Sequence, residues 1–259
     1  MPKFAANLSM LFTEAPFLDR FALARECGFT YVEYLFPYDV PAAELKRRLD
    51  DNGLRQVLFN LPSGDWPGGE RGIGANPNRV EEFRTGVSKA VEYALALGVP
   101  TLNALAGKRV PGVDDATMKA TYVANLKFAA RALAAKGLRL VMEPINHFDI
   151  PGFFLNRTDQ ALAILAEVDD PNLAIQYDVY HAQREEGELV NTLRNHLARI
   201  GHIQIADNPG RHQPGTGEIN YPFVFKEMDR LGYQGYVGLE YVPTPDSRSS
   251  FAWIKEMGY

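Results

Sequence analysis

The chain has 259 residues, 46% of them hydrophobic and 23% charged, enough to bury a sizeable core and unlike the composition of a disordered segment. Its net charge of −5 gives no electrostatic reason to bind nucleic acid or anionic lipid, and its single cysteine excludes a disulfide framework or a cysteine-cluster zinc site. No apolar run approaches the ~20 residues needed to span a bilayer, and the opening Met1–Phe12 lacks the blocks of a signal peptide, so a cytoplasmic protein without membrane partners is expected.

Short apolar, β-rich runs alternate with longer helical patterns along the whole chain. The predicted strands are Lys3–Leu8, Tyr31–Leu35, Arg55–Leu61, Thr101–Ala106, Leu138–Glu143, Leu173–Asp178, His202–Ala206 and Tyr236–Glu240. Each interval holds a helical pattern with its loops, as parallel pairing requires. After the first strand, Phe17–Cys27 reads as a helix stopped by Gly28, with Cys27 expected as a buried thiol. Pro41–Asp51 opens with proline in its first turn. Val80–Leu97, Ala116–Ala135 and Phe223–Leu231 each run into a glycine that can close a helix in the left-handed conformation. Between the third strand and Val80 lies the long Gly/Pro-rich stretch Leu61–Asn78, carrying Trp66 and Arg71, which reads as a cover over the site.

Eight such repeats without an internal linker predict an α/β fold: a (β/α)8 TIM barrel occupying 1–259 as one domain. The glycine fingerprint of a dinucleotide-binding open sheet is missing after the first strand, where Asn7-Leu8-Ser9 stands.

Barrel enzymes carry their chemistry at the C-terminal ends of the strands. Four consecutive predicted strands end with or near an oxygen ligand: Glu143, Asp178, Gln204 and Glu240. Three carboxylates and an amide converging there would repel one another without a cation. An all-oxygen set suits a hard divalent ion, Mg²⁺ or Mn²⁺, over zinc. His181, three residues past Asp178, is positioned for a substrate hydroxyl. Arg211, His212, Lys108 and Arg109 stand in loops where a cation could take a substrate carboxylate, Arg by bidentate capture. His202, at the start of a predicted strand, is expected at the far end of the barrel in a structural role.

Several segments are recognisable. Phe59-Asn60-Leu61-Pro62-Ser63-Gly64-Asp65-Trp66 followed by Gly69-Glu70-Arg71-Gly72-Ile73, the stretch Glu143-Pro144-Ile145-Asn146-His147-Phe148-Asp149-Ile150-Pro151-Gly152, Ile203-Gln204-Ile205-Ala206-Asp207-Asn208-Pro209, Gly215-Thr216-Gly217-Glu218-Ile219-Asn220-Tyr221 and the opening Ala6-Asn7-Leu8-Ser9-Met10-Leu11-Phe12 resemble the hydroxypyruvate isomerase family of xylose-isomerase-like barrels. The resemblance spans essentially the whole chain. It implies that Glu143 and Glu240 form the acid–base pair and that Glu143, Asp178, Gln204 and Glu240 hold the metal. His181, Arg211, Arg71 and Lys108 are then expected around a small sugar-acid substrate. Sugar epimerases of the superfamily usually have His where Gln204 stands, which favours the hydroxypyruvate or 2-oxotetronate isomerase branch. Val242 departs from the Lys expected after Glu240-Tyr241 in many relatives. A metal-dependent endonuclease on the same barrel would need several zinc-binding histidines and a basic face, against five His in all. A silent sugar-acid binding barrel is the remaining alternative, and a homo-oligomer is left open.

Overall fold

The computed structural model describes residues 2–259. Among these, nine parallel strands form one sheet: β1 Lys3–Asn7, β2 Tyr31–Glu33, β3 Arg55–Gln56, β4 Leu58–Asn60, β5 Thr101–Asn103, β6 Arg139–Met142, β7 Leu173–Asp178, β8 Ile200–Ile205 and β9 Tyr236–Leu239. Their order is β3-β2-β1-β9-β8-β7-β6-β5-β4. Only Val57 separates β3 from β4, so the two are halves of one stave. One half pairs with β2, the other with β5, and the sheet closes into a barrel of eight staves. Backbone N–H groups of Val57 and Asn60 donate to the carbonyls of Val32 and Leu35, both at 2.9 Å, and lace the closure.

Crossover helices cover the outside: α1 Arg20–Glu26, α2 Ala42–Asp51, α3 Val80–Leu97, α4 Asp115–Ala134, α5 Thr158–Val168, α6 Val179–Glu185, α7 Leu189–His196, α8 Tyr221–Arg230 and α9 Ala252–Glu256. Their ends follow local chemistry. Asp114 caps α4 by accepting from the Thr117 N–H at 2.8 Å, which starts the helix one residue ahead of expectation. Asn220 caps α8, with Pro222 in its first turn, so this helix begins two residues early. Phe17–Asp19 is a 3₁₀ turn, and α1 proper begins only at Arg20. Cys27, expected in the core, is half-buried at the end of α1. None of the helices among the described residues is long and apolar enough to cross a membrane.

The main apolar core lies between barrel and helices. Inside the barrel, a small apolar plug of Ala5, Val57, Leu58, Val141 and Ala174 fills the floor, flanked by Tyr31 and Tyr236 with ring centroids 4.8 Å apart. Above it the interior turns polar: Asn7, Glu33, Asn103, Gln176, His202 and Gln204 are all buried there or on the strand ends. Buried polar groups of this kind must be satisfied by one another, and their bonds set up the site.

Candidate active site

Glu143 follows directly on β6 and is 4% exposed; its Oε2 accepts from Asn103 Nδ2 at 2.9 Å. Asp178 ends β7 and caps α6, its Oδ1 accepting from the N–H groups of Tyr180 (2.8 Å) and His181 (3.4 Å). Its other oxygen, Oδ2, is buried with no hydrogen-bond partner. Glu240 follows β9; its Oε1 takes Arg211 Nη2 at 2.6 Å, and its Oε2 takes Gln204 Nε2 at 2.5 Å and Asn7 Nδ2 at 3.3 Å.

His181 is buried on the first turn of α6, with Nε2 3.7 Å from Asp178 Oδ2 and 4.0 Å from Glu143 Oε1. Its Nδ1 lies 2.6 Å from Asn146 Nδ2. The Asn146 amide is oriented by its Oδ1, which accepts the Asp149 N–H at 2.9 Å. Asn146 therefore donates to Nδ1, and the ring proton sits on Nε2, aimed into the site. Burial, then the nearby Arg211 and Arg184, drive the His181 pKa well below its ordinary value, so the ring is neutral.

Arg211 stands in the left-handed backbone region at φ 57°, and its guanidinium is 22% exposed. Nη2 reaches Glu240 while lying 3.9 Å from Asp178 Oδ2 and 3.5 Å from His181 Nε2. The loop beneath it is built on buried Asp207, whose carboxylate accepts the N–H groups of Asn208, Gly215, Gly217 and Ile219 at 2.8–3.1 Å. The backbone is also pinned by Arg211 O accepting from Val242 N–H at 2.7 Å.

These carboxylates are costly to ionise where they sit. Burial, then Glu240 and Asp178, push the Glu143 pKa well above the carboxylate range. Burial lifts Glu240 to about 8 and Asp178 to about 6, against the opposing pull of Arg211 on both. Glu143, Asp178 and His181 each offer an atom within 4.8 Å of the others. An orphaned buried carboxylate oxygen beside the crowded Glu143, Asp178 and His181 fits a metal ion.

Of the expected ligands, Gln204 differs in detail. Its Oε1 accepts from Gln176 Nε2 at 2.5 Å, and Nε2 faces the acids, donating to Glu33 Oε1 at 2.7 Å as well as to Glu240. It lies under the cluster with its nitrogen toward it, where an oxygen ligand was expected.

The cavity above, of about 620 Å³, is lined by Glu143, Glu240, His181, Arg211 and Arg71, with Trp66, Leu105, Ile145 and Val242 among its apolar walls. The cover stretch is tied down at its base. Gly74 and Ala75 N–H groups donate to the carbonyls of Leu105 and Ala106 at 3.1 and 2.8 Å. Gly72, at φ 119°, packs so closely that a Cβ there would lie 2.7 Å from Leu105 O. The stretch thereby presents Trp66 and Arg71 to the cavity, the guanidinium 4.5 Å from the indole ring centre. Arg71 Nη1 donates only to the carbonyls of Trp66 and Glu70.

Lys108, expected at the substrate, is instead exposed and donates to Gly69 O at 2.8 Å, clipping the cover stretch from outside and absent from the cavity lining. Arg109 pairs with Asp115, and His212 Nδ1 faces Val242 O. His202 is not at a strand start, because β8 begins at Ile200; it is buried inside the barrel with Nε2 2.7 Å from Glu33 Oε2. Glu33 is the residue that sequence reasoning passed over. It ends β2, the same signal that singles out Glu143, Asp178 and Glu240, but reading that strand through Leu35 put it mid-strand.

The chain belongs to the xylose isomerase-like TIM barrel family, which it matches over residues 21–257. It is 52% identical over 254 residues to hydroxypyruvate isomerase of Escherichia coli (strain K12), and 50% identical over 255 residues to 2-oxo-tetronate isomerase of Cupriavidus necator, covering 98% of each chain in both cases. A crystal structure titled AP endonuclease, family 2, from Brucella melitensis superposes with a TM-score of 0.96 at 44% identity, over 99% of each chain. The 3-keto-D-glucoside 4-epimerase from E. coli, at 22% identity and a TM-score of 0.82, shares the fold; the alignment covers 99% of this chain and 100% of that one.

Proposed function

We propose that this protein is an aldose–ketose type isomerase that interconverts hydroxypyruvate and tartronate semialdehyde. The observation that carries the reading is a pair of buried glutamates, Glu143 and Glu240, on the ends of separate staves and facing one cavity. Close identity to relatives named hydroxypyruvate isomerase and 2-oxo-tetronate isomerase supports it.

Burial raises the Glu240 carboxyl above its ordinary range, and a carboxyl group held against the reacting carbon can both take and give a proton. In the proposed reaction one glutamate removes a proton from the hydroxyl-bearing carbon, giving a cis-enediolate. The other returns a proton to the former carbonyl carbon, and the hydroxyl proton moves to the former carbonyl oxygen. His181 donates its Nε2 proton to a substrate oxygen, and Arg211 holds Glu240 in place while offering charge to the enediolate. Arg71 has no carboxylate partner of its own among the described ion pairs and takes the substrate carboxylate. Glu143, Asp178 and Glu240, with Gln204 beneath them, would hold a divalent cation, Mg²⁺ or Mn²⁺, which would supply Lewis acidity to the carbonyl. His181, with its proton on Nε2, acts as a donor to substrate and not as a ligand.

The test is turnover of hydroxypyruvate in the presence of Mn²⁺ or Mg²⁺. Glu143→Gln and Glu240→Gln should each lose about 10²–10⁴-fold in kcat while retaining the wild-type melting profile. Wild-type-like turnover in either variant removes the acid–base assignment.

A second reading, 2-oxotetronate isomerisation, is supported by the 50% identity to a relative named 2-oxo-tetronate isomerase. The ratio of kcat/KM for the two substrates decides between them. A zinc endonuclease reading has less support: among the five histidines only His181 belongs to the cluster.

A further inference from the structure

Two amides stand beside the acids at the mouth, and none of the steps above uses them. Asn60 ends β4, Asn103 ends β5, and the two pair in register. Asn60 lies two residues beyond Leu58, a side chain of the barrel floor, and so points to the inside as well. One nitrogen, Asn103 Nδ2, lies 3.1 Å from Asn60 Oδ1 and 2.9 Å from Glu143 Oε2, and gives a hydrogen to each. Asn103 is wholly buried. Asn60 is 2% exposed, and it opens on the cavity that Glu143 and Glu240 also line. Its Oδ1 is taken by Asn103. Its Nδ2 has no partner among the described residues and is not sealed in the interior. A buried amide donor with nothing to bond is costly to keep, and an oxygen on a substrate would satisfy it.

The sheet order runs β4, β5, β6, β7, so Asn60 and Asp178 lie on opposite flanks of Glu143. The carboxylate repeats that division: Oε2 faces Asn103, and Oε1 lies 4.0 Å from His181 Nε2. His181, Arg211 and the proposed cation serve the carbonyl oxygen on one flank. The other flank is left for the oxygen on the second reacting carbon. We propose that Asn60 is a substrate-contact residue whose Nδ2 donates to the hydroxyl oxygen on the carbon that loses its proton, with Asn103 keying that amide to Glu143. The inference rests on the isomerase reading above. As the enediolate forms, charge spreads onto this oxygen, so a donor fixed in advance counts for more in the transition state than in the ground state.

The experiment compares glycerate and lactate, which differ only in the terminal hydroxyl, as inhibitors of hydroxypyruvate turnover. The proteins are wild type and Asn60→Ala, with thermal melts to establish folding. Wild type should bind glycerate about five- to tenfold more tightly than lactate, as one neutral hydrogen bond allows. Asn60→Ala should reduce that preference to less than about twofold. General damage to the site would weaken both inhibitors alike, so an unchanged ratio overturns the proposal, as does a wild type without the preference. The kcat of Asn60→Ala should fall about 10²-fold. A kcat within about threefold of wild type overturns the proposal, and this measurement decides alone if neither compound inhibits.

Should Asn60→Ala not fold, Asn60→Asp decides. It keeps the oxygen that Asn103 holds and sets a second oxygen where the donor stood, facing the charge of the enediolate. Its kcat should drop about 10²-fold or more with the melt retained, and a wild-type-like kcat overturns the proposal. A wild type that turns over no hydroxypyruvate brings down the isomerase reading and this inference together. An active wild type whose inhibitor ratio and kcat ignore position 60 removes this inference alone.

Discussion

Arg71 is the guanidinium in the cavity that is held only by backbone carbonyls and an aromatic face. Its unspent charge makes a sharp prediction at the scale of one side chain. Arg71→Ala should raise KM for a carboxylate substrate about 10- to 100-fold, the worth of a charge-assisted contact, with a smaller change in kcat. Steady-state kinetics read the split: a kcat loss at unchanged KM would place Arg71 away from the substrate carboxylate. The acids at 143, 178 and 240 were legible in the sequence because charge at the end of an apolar strand is unusual and demands a partner. Glu33 carried the same mark and was obscured by two residues of uncertainty in where its strand stops. The direction of the Gln204 amide and the tautomer of His181 were not legible at all. Both follow from neighbours, Gln176 and Asn146, that come together only in the folded chain. Lys108 shows the converse: a cation in a suitable loop whose reach is taken up by Gly69.

At the scale of elements, the loop from Asp207 to Ile219 turns on one carboxylate. Four backbone N–H groups converge on Asp207, and the loop they shape carries Arg211 in its left-handed backbone conformation. A non-glycine residue held there is strained unless its surroundings enforce it. Asp207→Ala should therefore cost about 3 kcal/mol of stability, from buried donors left without an acceptor, and should also lower activity because Arg211 loses its support. Urea unfolding would register the first as a lower midpoint at unchanged slope. An unaltered midpoint would show that the loop is held by other contacts. Alternation of apolar runs and helical patterns was enough to mark all eight staves, yet the interruption at Val57 was invisible. A bend that splits one strand between two partners is set by closure of the ring, and no residue pattern within Arg55–Leu61 announces it.

Over the whole molecule, several buried acids at one end make stability depend on pH in a sense opposite to that of salt-bridged carboxylates. Asp178 and Glu240 are raised to about 6 and about 8, each chiefly by burial, from an ordinary carboxylate value of about 4 in the unfolded chain. A raised folded-state pKa means that the folded protein holds its protons longer. The associated stability is complete below about pH 4 and is lost as pH rises toward about 8. Protein treated with EDTA should melt at progressively lower temperature across that window, and added Mn²⁺ should flatten the trend by neutralising the same acids. A melting temperature that instead climbs steadily with pH in EDTA contradicts the burial argument. Glu33 has a further bearing on the molecule's mechanics. It springs from the second stave, yet its bonds run to side chains on the first and on β8, and Asn7 and Gln204 carry the link onward to Glu240 after β9. These are spokes across the hollow, where backbone pairing supplies only a rim. A rim alone can flatten into an oval; spokes hold its diameter, so the seat of Glu240 is gauged from inside the barrel as well as by Arg211 from the loop above.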